Sequence, residues 1–266
     1  FYLLKGTGKG LTFTELQHRN VIFALIPDVR VGDVIKALID ETTECINIKL
    51  EERINAYKAV ATLIGNLDDV DMDIINKALR NQADMAGYTD YDLIDMKGMG
   101  LEGKGNVSYA ENEYFKKASE GKVSMVATED TFGSIKGIDC YVPVCKGEVV
   151  KGVFKVYSTL EQFTELVDIA DLGEYGNVFV VMQDGTLISR GYGLDEVDNI
   201  TMLLQNEKSA KKLVKSMQSR KSGYISYDSG EAKKYICYAR TDYNKWYMVS
   251  IVSAQSVEAT NEDIKT

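Results

Sequence analysis

The sequence predicts an α+β fold in which one long helix backs two small and similar sheet modules. Three observations carry that prediction: an unbroken helical seam, a run of short strands punctuated by turn residues, and the recurrence of the strand order. The seam comprises Ile35, Ile39, Ile46, Leu50, Ile54, Tyr57, Ala61, Ile64 and Leu67, with one gap at Thr42 and Thr43. Steps of three and four residues place these side chains on one helix face. No Gly or Pro interrupts Asp33 to Ile64, and at about 1.5 Å per residue such a rod reaches roughly 50 Å. A helix of this length needs a partner for its stripe. Two stacked sheets supply one; a second copy of the chain in a dimeric coiled coil is the alternative.

The strands follow in order. Tyr91-Asp-Leu-Ile-Asp95 runs into a turn at Met96-Lys97-Gly98, then a second short strand, a helix over 112–121, and strands near 123–129, 138–144 and 149–157. Gly98, Gly121, Gly137 and Gly147 fall between apolar runs, where a turn is expected. About 85 residues further on the order recurs, the mark of an internal repeat. Asn177-Val-Phe-Val-Val-Met-Gln183 meets Asp184-Gly185, a strong hairpin dipeptide, and then a strand from Thr186 to Arg190. A helix over 210–219 and strands at 224–227, 234–240 and 246–252 complete the second unit.

Two short motifs carry a resemblance. Asn112-Glu-Tyr114-Phe115-Lys-Lys-Ala118 looks like an Arg-x-Tyr-Phe or Arg-x-Trp-Tyr helix start, and Lys245-Trp246-Tyr247-Met-Val249 looks like the ending Gly-Trp-Tyr-x-Val. With the long leading helix, their order and spacing resemble the double Cache sensor, the extracytoplasmic region of bacterial chemoreceptors, histidine kinases and cyclic-di-GMP enzymes. The resemblance covers Asp33 to about Ala259. It implies two PAS-like modules, each a central antiparallel sheet flanked by helices. After a leader of uncertain role over 1–32, it implies a long signalling helix over 33–70 and a membrane-distal ligand-binding module over 71–168. A membrane-proximal module over 169–259 and a tail toward a membrane helix over 260–266 complete the division. The leader departs from the family's pattern and is read equally as an added strand, an appended remnant or a local extension.

Composition limits the function. With 45% hydrophobic and 27% charged residues the chain can bury a core in each module. A net charge of −9 argues against nucleic acid, which requires clustered cations facing phosphates. The local cluster of Lys208, Lys211, Lys212, Lys215, Arg220 and Lys221 reads as a solvated helix face, with anionic lipid headgroups as the alternative. The four cysteines are read as unpaired core residues. No metal site or cofactor is expected, since the single His18 has no cysteine near it. Val21-Ile-Phe-Ala-Leu-Ile26 is too short to span a bilayer, so membrane helices are expected outside this segment.

Enzymatic motifs fail on inspection. Gly6-Thr-Gly8-Lys9-Gly10 lacks the Ser or Thr that a phosphate loop needs after its Lys. Asp68, Asp69, Asp71 and Asp73 read as caps for a following helix. No nucleophile elbow is present, and His18 has no evident Ser or Asp partner. Binding is therefore favoured over turnover, as a receptor's sensor region or, alternatively, a free-standing solute-binding protein.

The expected ligand site lies in the distal module. Tyr114 and Phe115 match the family's pocket-covering aromatic pair, or else pin the helix to the sheet. With Tyr157 in the pocket-facing phase that the resemblance implies, strand alternation puts Val153 and Lys155 on the same face and Phe154 and Val156 on the helix side, while Asp139 and Tyr141 form one phase of the neighbouring strand. A phase error of one residue would make Lys155 and Asp139 a surface pair instead. In amino-acid-binding relatives an Arg stands where this chain has Asn112, and an Asp where it has Tyr157. Their loss disfavours amino acids, while an inward Lys155 beside Asp139 and two tyrosines would hold a small carboxylate or a flat aromatic or heterocyclic compound. A homodimer through the long helix is the remaining partner expectation, and the second module is expected to transmit.

Overall fold

The computed structural model describes residues 31–67, 72–101, 107–131, 134–167, 177–189, 197–229 and 232–255. The Gly6 to Gly10 run, His18, the capping role of the 68–73 aspartates and the chain end beyond 255 lie outside the described residues. Helix α1 spans Val31–Gly65 and α2 Met72–Ala86. The first sheet contains β1 (Asp90–Asp95), β2 (Ser124–Glu129), β3 (Ile135–Lys146) and β4 (Val149–Thr159), with α3 (Glu113–Ser119) between β1 and β2. Helix α4 (Leu160–Val167) leads to the second sheet: β5 (Asn177–Val181), β6 (Ser222–Asp228), β7 (Lys233–Arg240) and β8 (Tyr247–Ser253). Helices α5 (Ile200–Leu204) and α6 (Glu207–Ser219) lie between β5 and β6.

Both sheets are antiparallel and share one topology, β1-β4-β3-β2 and β5-β8-β7-β6. The fold is thus a tandem of PAS-like modules behind one helix. Ile35, Ile39, Ile46, Leu50, Ile54, Tyr57 and Ala61 are all buried in a core that also takes in Cys140, Val142, Phe154 and Val156 of the first sheet. Cys237, Ala239, Met248 and Val252 of the second sheet belong to the same core. The chain's own sheets therefore occupy the seam that the coiled-coil alternative would need. The gap in the seam is closed by Thr42 and Thr43, both buried; Thr43 Oγ1 donates back to the Ile39 carbonyl at 2.7 Å.

The N-terminal part of α1 meets the second sheet, where Asp242 N donates to Asn47 Oδ1 at 3.0 Å. Its C-terminal part meets the first, where Tyr57 Oη lies 3.1 Å from Ser158 Oγ on β4. Between the modules Trp246 packs edge-on against Phe163 of α4, ring centroids 5.6 Å apart. Asn244, in the turn before Trp246, donates its amide to the Met125 carbonyl on β2.

Three local expectations are corrected. Gly137 is not in a turn but inside β3, because a Cβ there would fall 2.3 Å from the Ser158 carbonyl oxygen of the neighbouring strand. The strand expected after Asp184-Gly185 is reduced to isolated bridges, Val181 to Leu187 and Thr186 to Asn199, since Leu187 N turns away to the Asp198 carbonyl. The strand expected after Gly98 is likewise reduced to bridges from Ile94 to Gly100 and Met99 to Ser108. The four cysteines are free, but only Cys140 and Cys237 are buried; Cys45 is exposed on α1 and Cys145 half-buried, so they are not all core residues.

Candidate functional site on the first sheet

Cross-strand register builds one polar row on the face of the first sheet turned away from α1. Asp92 on β1 pairs with Lys155 on β4, Lys155 with Tyr141 on β3, and Tyr141 with Ser124 on β2. In the adjoining row Asp90 pairs with Tyr157, and Tyr157 with Asp139. Because side chains alternate along a strand, Phe154 and Val156 point the other way, into the core with α1.

Lys155 Nζ lies 2.8 Å from Asp139 Oδ1, and the two side chains are only 17% and 11% exposed. The ammonium is flanked by aromatic faces, 5.9 Å from the ring centroids of both Tyr109 and Tyr141. Tyr114 stacks on Tyr141 at 6.1 Å and 24°. Phe115 is buried with Ile94, Ala118, Tyr141 and Val153, so it anchors α3 to the sheet. Tyr157 Oη reaches outward to the Lys136 carbonyl at 2.9 Å.

Asn112 has a structural task. Its Oδ1 accepts from Tyr114 N at 2.8 Å and Phe115 N at 3.0 Å, closing the N-terminus of α3, while its Nδ2 donates to Tyr141 Oη at 3.3 Å. Ser124 Oγ donates to the Tyr114 carbonyl at 3.0 Å and holds the same helix from β2.

Carboxylates and burial set the state of the tyrosine hydroxyls on this face. Burial, then the Asp139 carboxylate, pushes the Tyr141 hydroxyl above its ordinary value; burial and Asp139 act alike on Tyr157. Burial, then Asp92, raises Tyr109, whose hydroxyl donates to Asp92 Oδ2 at 2.9 Å. These phenols stay neutral at physiological pH and remain hydrogen-bond donors.

The expected residues Tyr114, Asp139, Tyr141, Lys155 and Tyr157 thus share one face, with Phe115 beneath it. Sequence reasoning missed Asp92, Tyr109 and Ser124. Asp92 was accessible, since Asp90, Asp92 and Ile94 alternate in the β1 stretch. Tyr109 lies outside the named helices and strands and leaves no periodic signal.

The second sheet treats the same face differently. Its comparable row reads Phe179, Val249, Tyr238 and Gly223. Ala210, Leu213 and Met217 of α6 fill the space above it. Tyr238 is hydrogen-bonded to Ser216, and Tyr247 Oη donates to the Met217 carbonyl at 2.5 Å. On α6, Lys208, Lys211, Lys212 and Lys215 are exposed, and Lys211 pairs with Glu207 at 2.5 Å. A separate open cleft of about 450 Å³ lies between α1 and this sheet, with Asp40, Glu44 and Glu51 on one wall and Arg240 and Asp242 on the other. Among the described residues no helix is long and apolar enough to cross a membrane.

No protein-family model and no curated protein matches the sequence. Solved structures do match the fold. The ligand-binding domain of the Pseudomonas aeruginosa amino acid chemoreceptor PctC, in complex with GABA, superposes with a TM-score of 0.60 at 14% identity, over 84% of this chain and 100% of that one. The ligand-binding domain of P. aeruginosa PctB with L-Arg gives 0.60 at 13%, over 86% and 97%. That of Pseudomonas fluorescens CtaA with L-leucine gives 0.59 at 14%, over 86% and 97%. The chain has the double-module fold of these chemoreceptor ligand-binding domains, as the resemblance to double Cache sensors implied.

These complexes overturn the expectation that amino acids are disfavoured. That argument weighed only the positions of Asn112 and Tyr157. The folded sheet brings a cation, Lys155, and two carboxylates, Asp139 and Asp92, onto one face from neighbouring positions.

Proposed function

We propose that this chain is the extracytoplasmic ligand-sensing region of a bacterial transmembrane receptor and that it binds an amino acid on the outer face of the first, membrane-distal module. The observation that carries this reading is the contrast between the two sheets. One presents Lys155, Asp139 and Asp92 among Tyr109, Tyr114 and Tyr141, whereas the other closes the same face with apolar side chains from α6. Lys155 suits a ligand carboxylate, the two aspartates suit its ammonium, and the tyrosines wall the side chain. Solved domains of the same fold, PctC, PctB and CtaA, carry GABA, L-Arg and L-leucine. The receptor's output is that of a chemoreceptor, histidine kinase or cyclic-di-GMP enzyme, and the sensing region binds without turnover.

Signal leaves the site through β4. Lys155 faces the ligand, while Phe154, Val156 and the Ser158 to Tyr57 hydrogen bond face α1. A ligand that displaces β4 shifts α1, and structures with and without ligand should differ by about 1–2 Å in the placement of α1 against that strand. Superimposable placements would reject this route.

The binding claim is tested by thermal shift with the twenty standard amino acids and GABA. A ligand at 100 times its dissociation constant adds about 2.7 kcal/mol of stability. Stabilisation that disappears in Lys155→Met but survives in Tyr238→Phe supports the reading. No stabilisation by any of these compounds refutes it.

A further inference from the structure

We propose that the Lys155–Asp139 ion pair is an internal stand-in for a zwitterion, which the ligand displaces, and that it makes the site select compounds bearing both a carboxylate and an ammonium over compounds bearing one of them. This deepens the proposed function and rests on it.

The argument starts from the pair's surroundings. Asp139 and Lys155 sit 2.8 Å apart and mostly out of solvent, between strands whose next neighbours are Tyr141, Tyr157 and Asp92. Tyr109 and Tyr141 border the ammonium on two sides. A carboxylate ligand reaching Lys155 must compete with Asp139. Were it to carry no cation, Asp139 would be left without its partner in a poorly solvated place, and a third negative charge would join Asp92 and Asp139. An amine reaching Asp139 would similarly strand Lys155. Breaking one side of a desolvated pair is strongly unfavourable, because the remaining charge has lost both water and partner. A zwitterion re-pairs both charges at once. The tyrosines cannot substitute, since burial and the nearby carboxylates hold their hydroxyls neutral.

The pair therefore acts as negative selection as well as recognition. Its removal should convert exclusion into binding. In Asp139→Asn, Lys155 keeps its charge without its principal competitor, so a simple carboxylate gains entry. In Lys155→Met, Asp139 is released and a simple amine gains entry.

The test uses isothermal titration calorimetry on the whole chain with three matched sets: GABA, butyrate and butylamine; L-leucine, 4-methylpentanoate and 3-methylbutylamine; and L-alanine, propionate and ethylamine. In the wild type at least one zwitterion should bind 100-fold or more tightly than either of its counterparts. Asp139→Asn should bind the matching carboxylate at least 10-fold more tightly than the wild type does, and Lys155→Met the matching amine. Both gains are improvements in affinity that a poorly folded variant cannot produce. Butyrate binding as tightly as GABA, with Lys155→Met still abolishing it, would overturn this inference while leaving the site reading intact. Failure of every zwitterion to bind would overturn both. Binding that neither variant alters would place the ligand elsewhere and overturn both as well.

Discussion

Replacing Leu50 by Ala probes the helix that joins the modules. Leu50 is fully buried on α1, within the core that contains side chains from both sheets. Leu→Ala at such a site removes apolar contact and leaves a cavity, at a cost of about 2–5 kcal/mol. For a chain of this size each kcal/mol lowers Tm by roughly 2–4 °C, so a 3 kcal/mol loss corresponds to about 6–12 °C. The sequence contains one tryptophan, Trp246, which is buried against Phe163 at the start of the second sheet's last strand. Its fluorescence reports the junction of the second module with α4, while far-UV circular dichroism reports the whole chain. Urea unfolding followed by both probes should give coincident transitions, displaced together in Leu50→Ala. A tryptophan midpoint that stays at the wild-type value while the dichroism midpoint falls would show that the spine does not couple the modules. A loss under about 1 kcal/mol by both probes would refute the packing argument itself.

Four further outcomes follow from local geometry. Lys245 adopts φ +58°, the left-handed region, at the position where the resembling motif has Gly, so Lys245→Gly should stabilise the chain by about 0.5–1 kcal/mol in urea unfolding. Gly87, at φ +69°, leaves room for the Arg53 guanidinium that donates to the Ala86 carbonyl at 3.0 Å; Gly87→Ala should cost about 1–2 kcal/mol, chiefly through the left-handed backbone, and a neutral result in chemical denaturation would contradict that conformation. Asn112→Arg should lower stability by about 1 kcal/mol through loss of the α3 cap, measured by thermal melting with and without the amino acid panel. Burial pushes the Cys237 thiol from the usual 9 to about 12; burial, then Tyr91 and Tyr57, raises the Tyr88 phenol from 10 to about 12. Both raised groups stabilise the fold fully below their unfolded values, and that stability is lost as pH rises from about 9 toward 12. Urea midpoints between pH 8 and 11.5 should fall, with a shallower slope in Cys237→Ala.

Strong periodicities made much of the architecture legible. The α1 seam and the two strand meanders follow from spacing, because burial on one face forces alternation; the phase of β3 and β4 needs Tyr157 as an anchor, which the family resemblance supplies and spacing does not. What escaped has identifiable causes. Helix α4 continues directly from β4 with only Phe163 and Val167 buried, too few positions to establish a helical period. The bridges around Ile94 and Val181 are single contacts without a ladder. Gly137 was assigned to a turn because a glycine between apolar runs has two physical meanings, positive φ or close backbone approach, and spacing does not separate them. Amino acids were disfavoured for a related reason. Asn112 and Tyr157 were compared with fixed positions, yet recognition depends on which charges share a surface, and Lys155, Asp139 and Asp92 come from three different strands.

The most direct measurement is the structure of the chain with whichever amino acid binds it. The account predicts the ligand carboxylate within hydrogen-bond reach of Lys155 Nζ, its ammonium against Asp139 or Asp92, and the Lys155 to Asp139 contact opened beyond its present 2.8 Å. A ligand seated in the cleft between α1 and the second sheet, with that ion pair still closed, would contradict it.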